Sequence, residues 1–168
     1  MKRIFMFFMA AALCVSLAAS CGNGGGNQKT VEGTVEEILE RIYEGLDESV
    51  HLPFVMNFTL EPDMGIENDG RRIEYFLGTN EVAFVDGIAS EAAIGGAFSV
   101  CLLRLEKGAD VAKAKSAIAD GVDPNKWICY LADYVVVENI GDLVILIMTN
   151  DETMTGLGDA LLESFNNL

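Results

Sequence analysis

The chain carries few side chains arranged for catalysis. Its one histidine, His51, precedes Leu52 and Pro53. The sequence has neither the Gly-x-Ser-x-Gly turn of serine hydrolases nor the His-Glu-x-x-His pair of zinc proteases. These reactions need histidine as a base or a ligand in a defined setting, so the sequence argues against a serine or zinc hydrolase. We predict an ordinary loop role for His51, no metal site and no cofactor.

Carboxylates are the remaining abundant group that could catalyse a reaction, since the chain has 26 Asp and Glu residues. Two carboxylates facing each other across a cleft would support hydrolysis of a glycosidic bond. The sequence alone does not show whether any two of them face each other. An enzyme that uses an acid pair on cell-wall polysaccharide is therefore kept as the alternative to a non-catalytic protein, which we favour.

The most distinctive segment is Asp123-Pro124-Asn125-Lys126-Trp127, which contains the single tryptophan. As a recognition site, Asp123, Lys126 and Trp127 would combine an aromatic anchor and a cation against a partner or a small anionic group. As a structural turn, it would use the Trp127 ring to cover the end of a sheet and leave Lys126 in solvent. We favour the structural interpretation, in which Trp127→Ala destabilises the fold and Lys126→Ala has little effect.

Two of the four cysteines, Cys101 and Cys129, fall in the body of the chain. Both lie in apolar, strand-like segments, where an unpaired cysteine behaves as a small hydrophobic residue. Export from the cell would permit a disulfide between them. We predict two unpaired core thiols, with a disulfide or redox use as the alternatives.

Helices and strands that could position these residues follow from the hydrophobic spacing. Thr34 and Glu37 form a capping box before a helix with an apolar face, and a weaker helix ends at Gly78. Gly121 is predicted to cap a further helix and Asn150 to begin the last. Alternating or continuous apolar runs predict strands at 54–60, 81–88, 97–105, 134–138 and 143–149, and the helices are predicted at 34–46, 67–77, 108–121 and from 150 onward.

Strands that arrive as hairpins, with helices between them, favour an α+β fold: an antiparallel or mixed sheet of about five strands with helices packed on it. The run 143–149 is apolar at nearly every position, which predicts a strand covered on both faces. The conformation of 89–96, a stretch of small residues, is left open.

The N-terminal residues have the pattern of a secretory signal peptide. Lys2 and Arg3 precede an uncharged apolar run at 4–17, which is shorter than the ~20 residues that span a bilayer, and small residues follow at 18–20. The sequence Leu17-Ala18-Ala19-Ser20-Cys21 resembles the lipobox of bacterial lipoproteins, with Ala18 where a larger aliphatic residue is usual. We therefore predict a signal peptide at 1–20 and lipidation of Cys21.

Three segments follow from this assignment: the signal peptide at 1–20, the lipidated cysteine with a glycine-rich tether at 21–30, and a single domain at 31–168. Two acyl chains give stable anchoring where one does not. The tether has a reach of roughly 15 to 18 Å by coil statistics. The predicted location is the extracytoplasmic face of the cell membrane.

The charge of the chain is strongly acidic, with 11 Lys and Arg and a formal net charge of −15. Removing the signal peptide takes away Lys2 and Arg3 and leaves −17. Such a surface repels phosphate backbones and anionic lipids, which argues against nucleic-acid binding. The acids are spread along the chain and are typical of a solvated exterior, and the alternative is a cationic partner or ligand.

Segments at 98–105, 107–111, 123–129 and 141–148 resemble an uncharacterised family of lipoproteins from Gram-positive anaerobes. The most specific part is Asp-Pro-x-Lys-Trp-x-Cys at 123–129. The family has no assigned activity, so the resemblance implies a lipoprotein with one domain and names no catalytic residue. Genes of such proteins can lie beside membrane-bound O-acyltransferase genes, which implies an envelope setting with that machinery as a partner. We predict a non-catalytic binding or accessory module.

Overall fold

A computed structural model describes residues 30–62 and 73–168. The signal peptide, Cys21 and nearly all of the tether lie outside the described residues, as does 67–72 of the helix predicted at 67–77. The described elements, in chain order, are α1 (Val35–Glu44), β1 (Val55–Thr59), α2 (Ile73–Leu77), β2 (Phe84–Ala92), β3 (Phe98–Leu105), α3 (Val111–Gly121), β4 (Tyr134–Ile140), β5 (Leu143–Thr149) and α4 (Leu157–Asn166).

The five strands form one antiparallel sheet in the order β1-β2-β3-β5-β4, which confirms the predicted α+β fold. Helices α1 and α4 pack on one face, and α2 and α3 pack on the other. All seven residues of β5 are buried, since the strand lies between β3 and β4 and has helices over both faces. Burial on both faces explains why residues 143–149 are apolar at nearly every position.

Helix starts at α1 and α3 follow the expected capping chemistry. The Glu37 amide donates to Thr34 Oγ1 at 3.3 Å, and Glu37 Oε2 accepts from the Thr34 amide at 3.1 Å, so the predicted capping box is confirmed. Asp110 caps α3 by accepting from the Lys113 amide at 3.0 Å. These bonds satisfy amide groups that a helix cannot satisfy itself.

Two predicted helix boundaries were wrong. Gly121 is the last residue of α3 and Val122 is its cap, while Gly121 faces Gly78 of the turn after α2 at backbone contact distance. Asn150 does not cap α4, which begins after Gly156 at φ +73°. Asn150 instead accepts from the Thr153 amide and donates to the Leu131 carbonyl, so it joins two loops.

The strand predicted at 81–88 starts later and runs further, from Phe84 to Ala92. Residues 89–92, whose conformation was left open, therefore belong to β2. All four pair with β1, and 89–91 also pair with β3. The small side chains of this stretch did not indicate a strand because their pattern lacks the usual alternation of apolar and polar residues.

The sheet has two distinct ends. At the hairpin end lie the β2–β3 turn (93–97), the residue before β1 (Phe54), the end of α3 with the approach to β4 (120–133) and the loop after β5 (150–156). The chain enters at the opposite end, where Arg104 donates to the carbonyls of Val31 at 3.0 Å and Gly33 at 2.9 Å. The eight residues of β3 separate the two ends by roughly 25 Å.

Candidate functional site

Lys126 is buried beside the sheet, not exposed to solvent. Its Nζ lies 2.5 Å from Glu91 Oε1, and the side chains of Lys126 and Glu91 are only 6% and 4% exposed. The same amine donates to Ser99 Oγ at 3.3 Å and to the Tyr75 carbonyl at 3.5 Å. The prediction of a solvated Lys126 was therefore wrong, because the segment turns its cation inward onto a buried carboxylate.

Aromatic rings surround this ammonium. Nζ lies 4.7 Å from the ring centroid of Tyr75, 4.9 Å from that of Trp127 and 5.8 Å from that of Phe76. These distances are within the range of cation–π attraction, which strengthens when the cation is removed from water. The rings also exclude water from the ion pair, so the Lys126 side chain is held by charge and by packing together.

Glu91 is bonded by further side chains. Ser99 Oγ donates to Glu91 Oε1 at 3.0 Å, and the Tyr75 hydroxyl donates to Oε2 at 3.2 Å. Glu91 and Ser99 are register partners on β2 and β3, so their side chains share one face of the sheet. A buried carboxylate needs such partners to offset the loss of its hydration.

The turn at 123–127 delivers Lys126 to this position. Asp123 is exposed, and its Oδ1 accepts from the Asn125 amide at 2.8 Å while its carbonyl accepts from the Lys126 amide at 3.2 Å. The Pro124 carbonyl accepts from the Ala132 amide at 2.9 Å, which closes the loop. This local bonding aims Lys126 at the sheet and leaves Asp123 in solvent.

The three predicted recognition residues therefore do not form one ligand site. Trp127 is half-buried and packs on the core between the sheet and α2 and α3, in agreement with the structural interpretation. Sequence reasoning missed Glu91 and Ser99. Glu91 could have been found from its neighbours in the sequence, because it is a single acid with uncharged, mostly small residues on both sides, Ile88-Ala89-Ser90 before it and Ala92-Ala93 after it.

In the cluster of Glu91, Ser99 and Lys126, the Ser99 hydroxyl lies beside the Lys126 amine. A hydroxyl and an amine can act as nucleophile and base, but these two are not arranged for catalysis. Ser99 has no exposed surface, so a substrate cannot reach its hydroxyl. The Lys126 amine donates to Glu91 and is not available to remove the serine proton, as a base would. Among the described residues, Glu91 is the one buried acid. The cluster is a structural joint between the turn at 123–127, the sheet and α2.

The two cysteines of the domain are free thiols with different surroundings. Cys101 is fully buried, with Sγ 3.7 Å from Ser99 Oγ, and burial raises the pKa of its thiol to about 11. Its prediction as an unpaired core residue is confirmed. Cys129 is exposed, so its prediction as a core residue was wrong. It lies at the tip of a tight turn that is closed by the Trp127–Tyr130 bridge.

Large apolar side chains are exposed at the hairpin end. We name this set the apolar end surface and define it by five residues with their exposed fractions: Phe54 (76%), Ile94 (79%), Ile128 (102%), Tyr130 (42%) and Leu131 (49%). Val85 is exposed to a similar degree, at 62%, but lies near the other end of the sheet. Scattered single apolar residues are normal on a surface, whereas a group on adjoining loops indicates an interaction site.

The loops that carry the apolar end surface contact one another. The Ala93 amide donates to the Phe54 carbonyl at 2.8 Å, which joins the hairpin turn to the start of β1. A Cβ on Gly95 would lie 3.0 Å from the Tyr130 hydroxyl, so the hairpin turn also meets the 127–131 turn. The Asn150 side chain donates to the Leu131 carbonyl at 2.9 Å. The surface is therefore one connected region.

Exposed acids lie on the same segments of the hairpin end. Asp120 is at the end of α3, Asp123 and Asp133 are on the approach to β4, and Asp151 and Glu152 are on the loop after β5. Within the described loops of the hairpin end, Lys126 is the only Lys or Arg, and its charge is buried against Glu91. The hairpin end thus combines an apolar centre with a negative rim.

No protein-family model matches the chain, and searches of curated proteins and of solved structures found no match. The resemblance to a lipoprotein family stays a prediction. Within 30–62 and 73–168, no helix is long and apolar enough to cross a membrane. In the same ranges, no group of three or more His, Cys, Asp or Glu side chains is placed to hold a metal ion.

Proposed function

We propose that the protein is a lipid-anchored extracytoplasmic lipoprotein whose domain binds a partner in the cell envelope without catalysing a reaction. The observation that carries the binding function is the apolar end surface, because exposed aromatic and aliphatic side chains on contacting loops are typical of protein interaction sites. The anchor rests on the signal peptide pattern and on Cys21.

The direction of chain entry supports this arrangement. Arg104 holds the carbonyls of Val31 and Gly33 at the end of the sheet opposite the apolar end surface. A tether attached there would leave the hairpin end facing away from the bilayer. The surface would then be available to a protein that stands in the envelope, and the resemblance makes O-acyltransferase machinery a partner to test.

The alternative function, an acid-pair enzyme on cell-wall polysaccharide, has less support. Its mechanism needs two carboxylates across a cleft. The one buried acid among the described residues, Glu91, is bonded to Lys126 and Ser99, and its side chain is only 4% exposed. The acids of the hairpin end are exposed and lie on the same segments as exposed apolar side chains, which favours binding over hydrolysis.

Replacement of the anchor residue tests the location. We expect Cys21→Ala to abolish lipidation, so that the protein is released in soluble form or stays as the unprocessed precursor. Fractionation of cells followed by detergent extraction and mass spectrometry of the N-terminus measures this, with Cys129→Ser as the matched control. A Cys21→Ala protein that is still mature and still needs detergent for extraction would show that the lipobox assignment is wrong.

A further inference from the structure

We infer that the apolar end surface binds a protein segment whose apolar side chains are flanked by lysine or arginine. This inference rests on the proposed binding function and adds the chemistry of the partner. Its two components are the exposed apolar centre and the acidic rim, and each of them constrains a different part of the partner.

The apolar centre requires apolar side chains opposite it. Ile128 is fully exposed at the tip of its turn, and Phe54 and Ile94 are each more than three-quarters exposed. Exposed side chains of this size gain free energy when a partner removes them from water. Binding energy in protein interfaces concentrates on a few central, desolvated side chains surrounded by a polar rim.

The acidic rim requires positive charge at the edge of the partner. Within the described residues 93–97, 120–133 and 150–156, which carry the five exposed acids, Lys126 is the only Lys or Arg, and its charge is buried against Glu91. A segment with flanking lysine or arginine would complement this field, which raises the rate of association and excludes acidic competitors. The rim is exposed, so its contribution should weaken as salt is added.

The charge of the acidic rim and the direction of chain entry argue against two other occupants of the apolar end surface, a second copy of this chain and anionic lipid. A second copy of this chain would bring an equally acidic rim against the first. Anionic lipid would meet the same repulsion, and the described chain enters the domain at the other end of the sheet. A cationic, apolar protein segment is the occupant that satisfies both components.

Site-specific photo-crosslinking in the lipidated protein tests the inference. A benzoylphenylalanine side chain replaces Ile128 in one variant and Val85 in another, and both variants are irradiated in the cells that make the protein. Val85 is the matched control because it is exposed and apolar but lies away from the hairpin end. Mass spectrometry of the adducts identifies what was captured and which peptide carries it.

The expected result is a protein adduct at Ile128, at several times the yield at Val85, on a peptide whose apolar residues are flanked by Lys or Arg. An adduct with lipid, with a second copy of this chain or with an acidic peptide would overturn the inference, as would equal yields at the two positions. A protein adduct at Val85 alone would keep the binding function and reject this surface. If neither position gives a protein adduct, both the binding function and this surface are rejected.

The captured peptide then supplies a quantitative test with purified protein. Asp120 and Glu152 are rim acids whose side chains make no hydrogen bond or ion pair with another residue of the described ranges. We expect Asp120→Lys with Glu152→Lys to weaken binding of the synthetic peptide by at least about tenfold at low salt, and by less at high salt. Replacing the flanking Lys or Arg of the peptide with Glu should have the same effect. Affinity unchanged by either replacement would show that charge does not select the partner.

Discussion

Lys126→Met should lower the free energy of unfolding by about 3 to 5 kcal/mol, the usual effect of removing one member of a buried ion pair. The substitution keeps the length of the side chain and removes the ammonium that lies 2.5 Å from Glu91 Oε1. The carboxylate stays buried, so its lost hydration is no longer offset by that charge. Urea unfolding followed by the fluorescence of Trp127, the single tryptophan, measures the change.

A surface ion pair provides the control for this prediction. Lys115 Nζ lies 2.7 Å from Glu138 Oε2, but the two side chains are 26% and 47% exposed. Lys115→Met should therefore change the free energy of unfolding by less than about 1 kcal/mol. Equal and small losses in Lys126→Met and Lys115→Met would contradict the account of Lys126 as a buried joint.

The coupling between the two charges gives a second measurement on the same pair. Lys126→Met combined with Glu91→Gln should lose less stability than the sum of the two single changes, because the second change removes the charge that the first leaves buried.

The reaction rate of the Cys101 thiol, measured in a Cys129→Ser background, reports the loss of stability in Lys126→Met independently. Cys101 is fully buried next to Ser99, so it reacts only when this part of the core opens.

Gly78→Ala should be the next most damaging substitution. Gly78 has φ +71°, which disfavours any Cβ, and a Cβ there would overlap the backbone carbonyl of Gly121 at the end of α3. We expect a loss of about 2 to 4 kcal/mol from strain and overpacking together. Thermal and urea unfolding measure it.

Two other glycines separate strain from overpacking. Gly108 has φ +86° with nothing within 4 Å of an added Cβ, so Gly108→Ala should lose only about 1 kcal/mol. Gly121 is helical, and its added Cβ would lie 2.5 Å from the Gly78 carbonyl oxygen, so Gly121→Ala tests the contact alone. Similar losses in Gly78→Ala and Gly108→Ala, with none in Gly121→Ala, would show that the close approach is unimportant.

Local patterns predicted the elements that depend on local chemistry. The capping box at Thr34 and the apolar run of β5 require only neighbouring residues to be recognised, and both were confirmed. The boundaries at Gly121 and Asn150 were wrong because their roles depend on distant residues: Gly78 for the first and Leu131 for the second. Tertiary contacts override local capping preference at such positions.

At the candidate site, too, the features set by neighbouring residues were predicted and those set by distant residues were not. The segment 123–127 was recognised as distinctive, and Trp127 was assigned correctly to packing at the sheet. The burial of Lys126 was not predictable, because Glu91 is 35 residues away and joins it only through the sheet and the closed turn. The apolar end surface was also missed, since Phe54, Ile94 and Leu131 come together only after the strands pair.

Neighbouring residues of one turn allow the central claim to be tested most directly. Trp127 packs on the core and Ile128 is fully exposed, so of these two side chains Ile128 is the one that can be replaced without disturbing the core. The measurement is the affinity of the purified protein for the peptide captured by crosslinking, in wild type and in Ile128→Asp, together with the free energy of unfolding. We predict that Ile128→Asp weakens binding at least about tenfold while stability changes by less than about 0.5 kcal/mol. Unchanged affinity in a stable Ile128→Asp protein would contradict the claim that this end of the sheet is the binding surface.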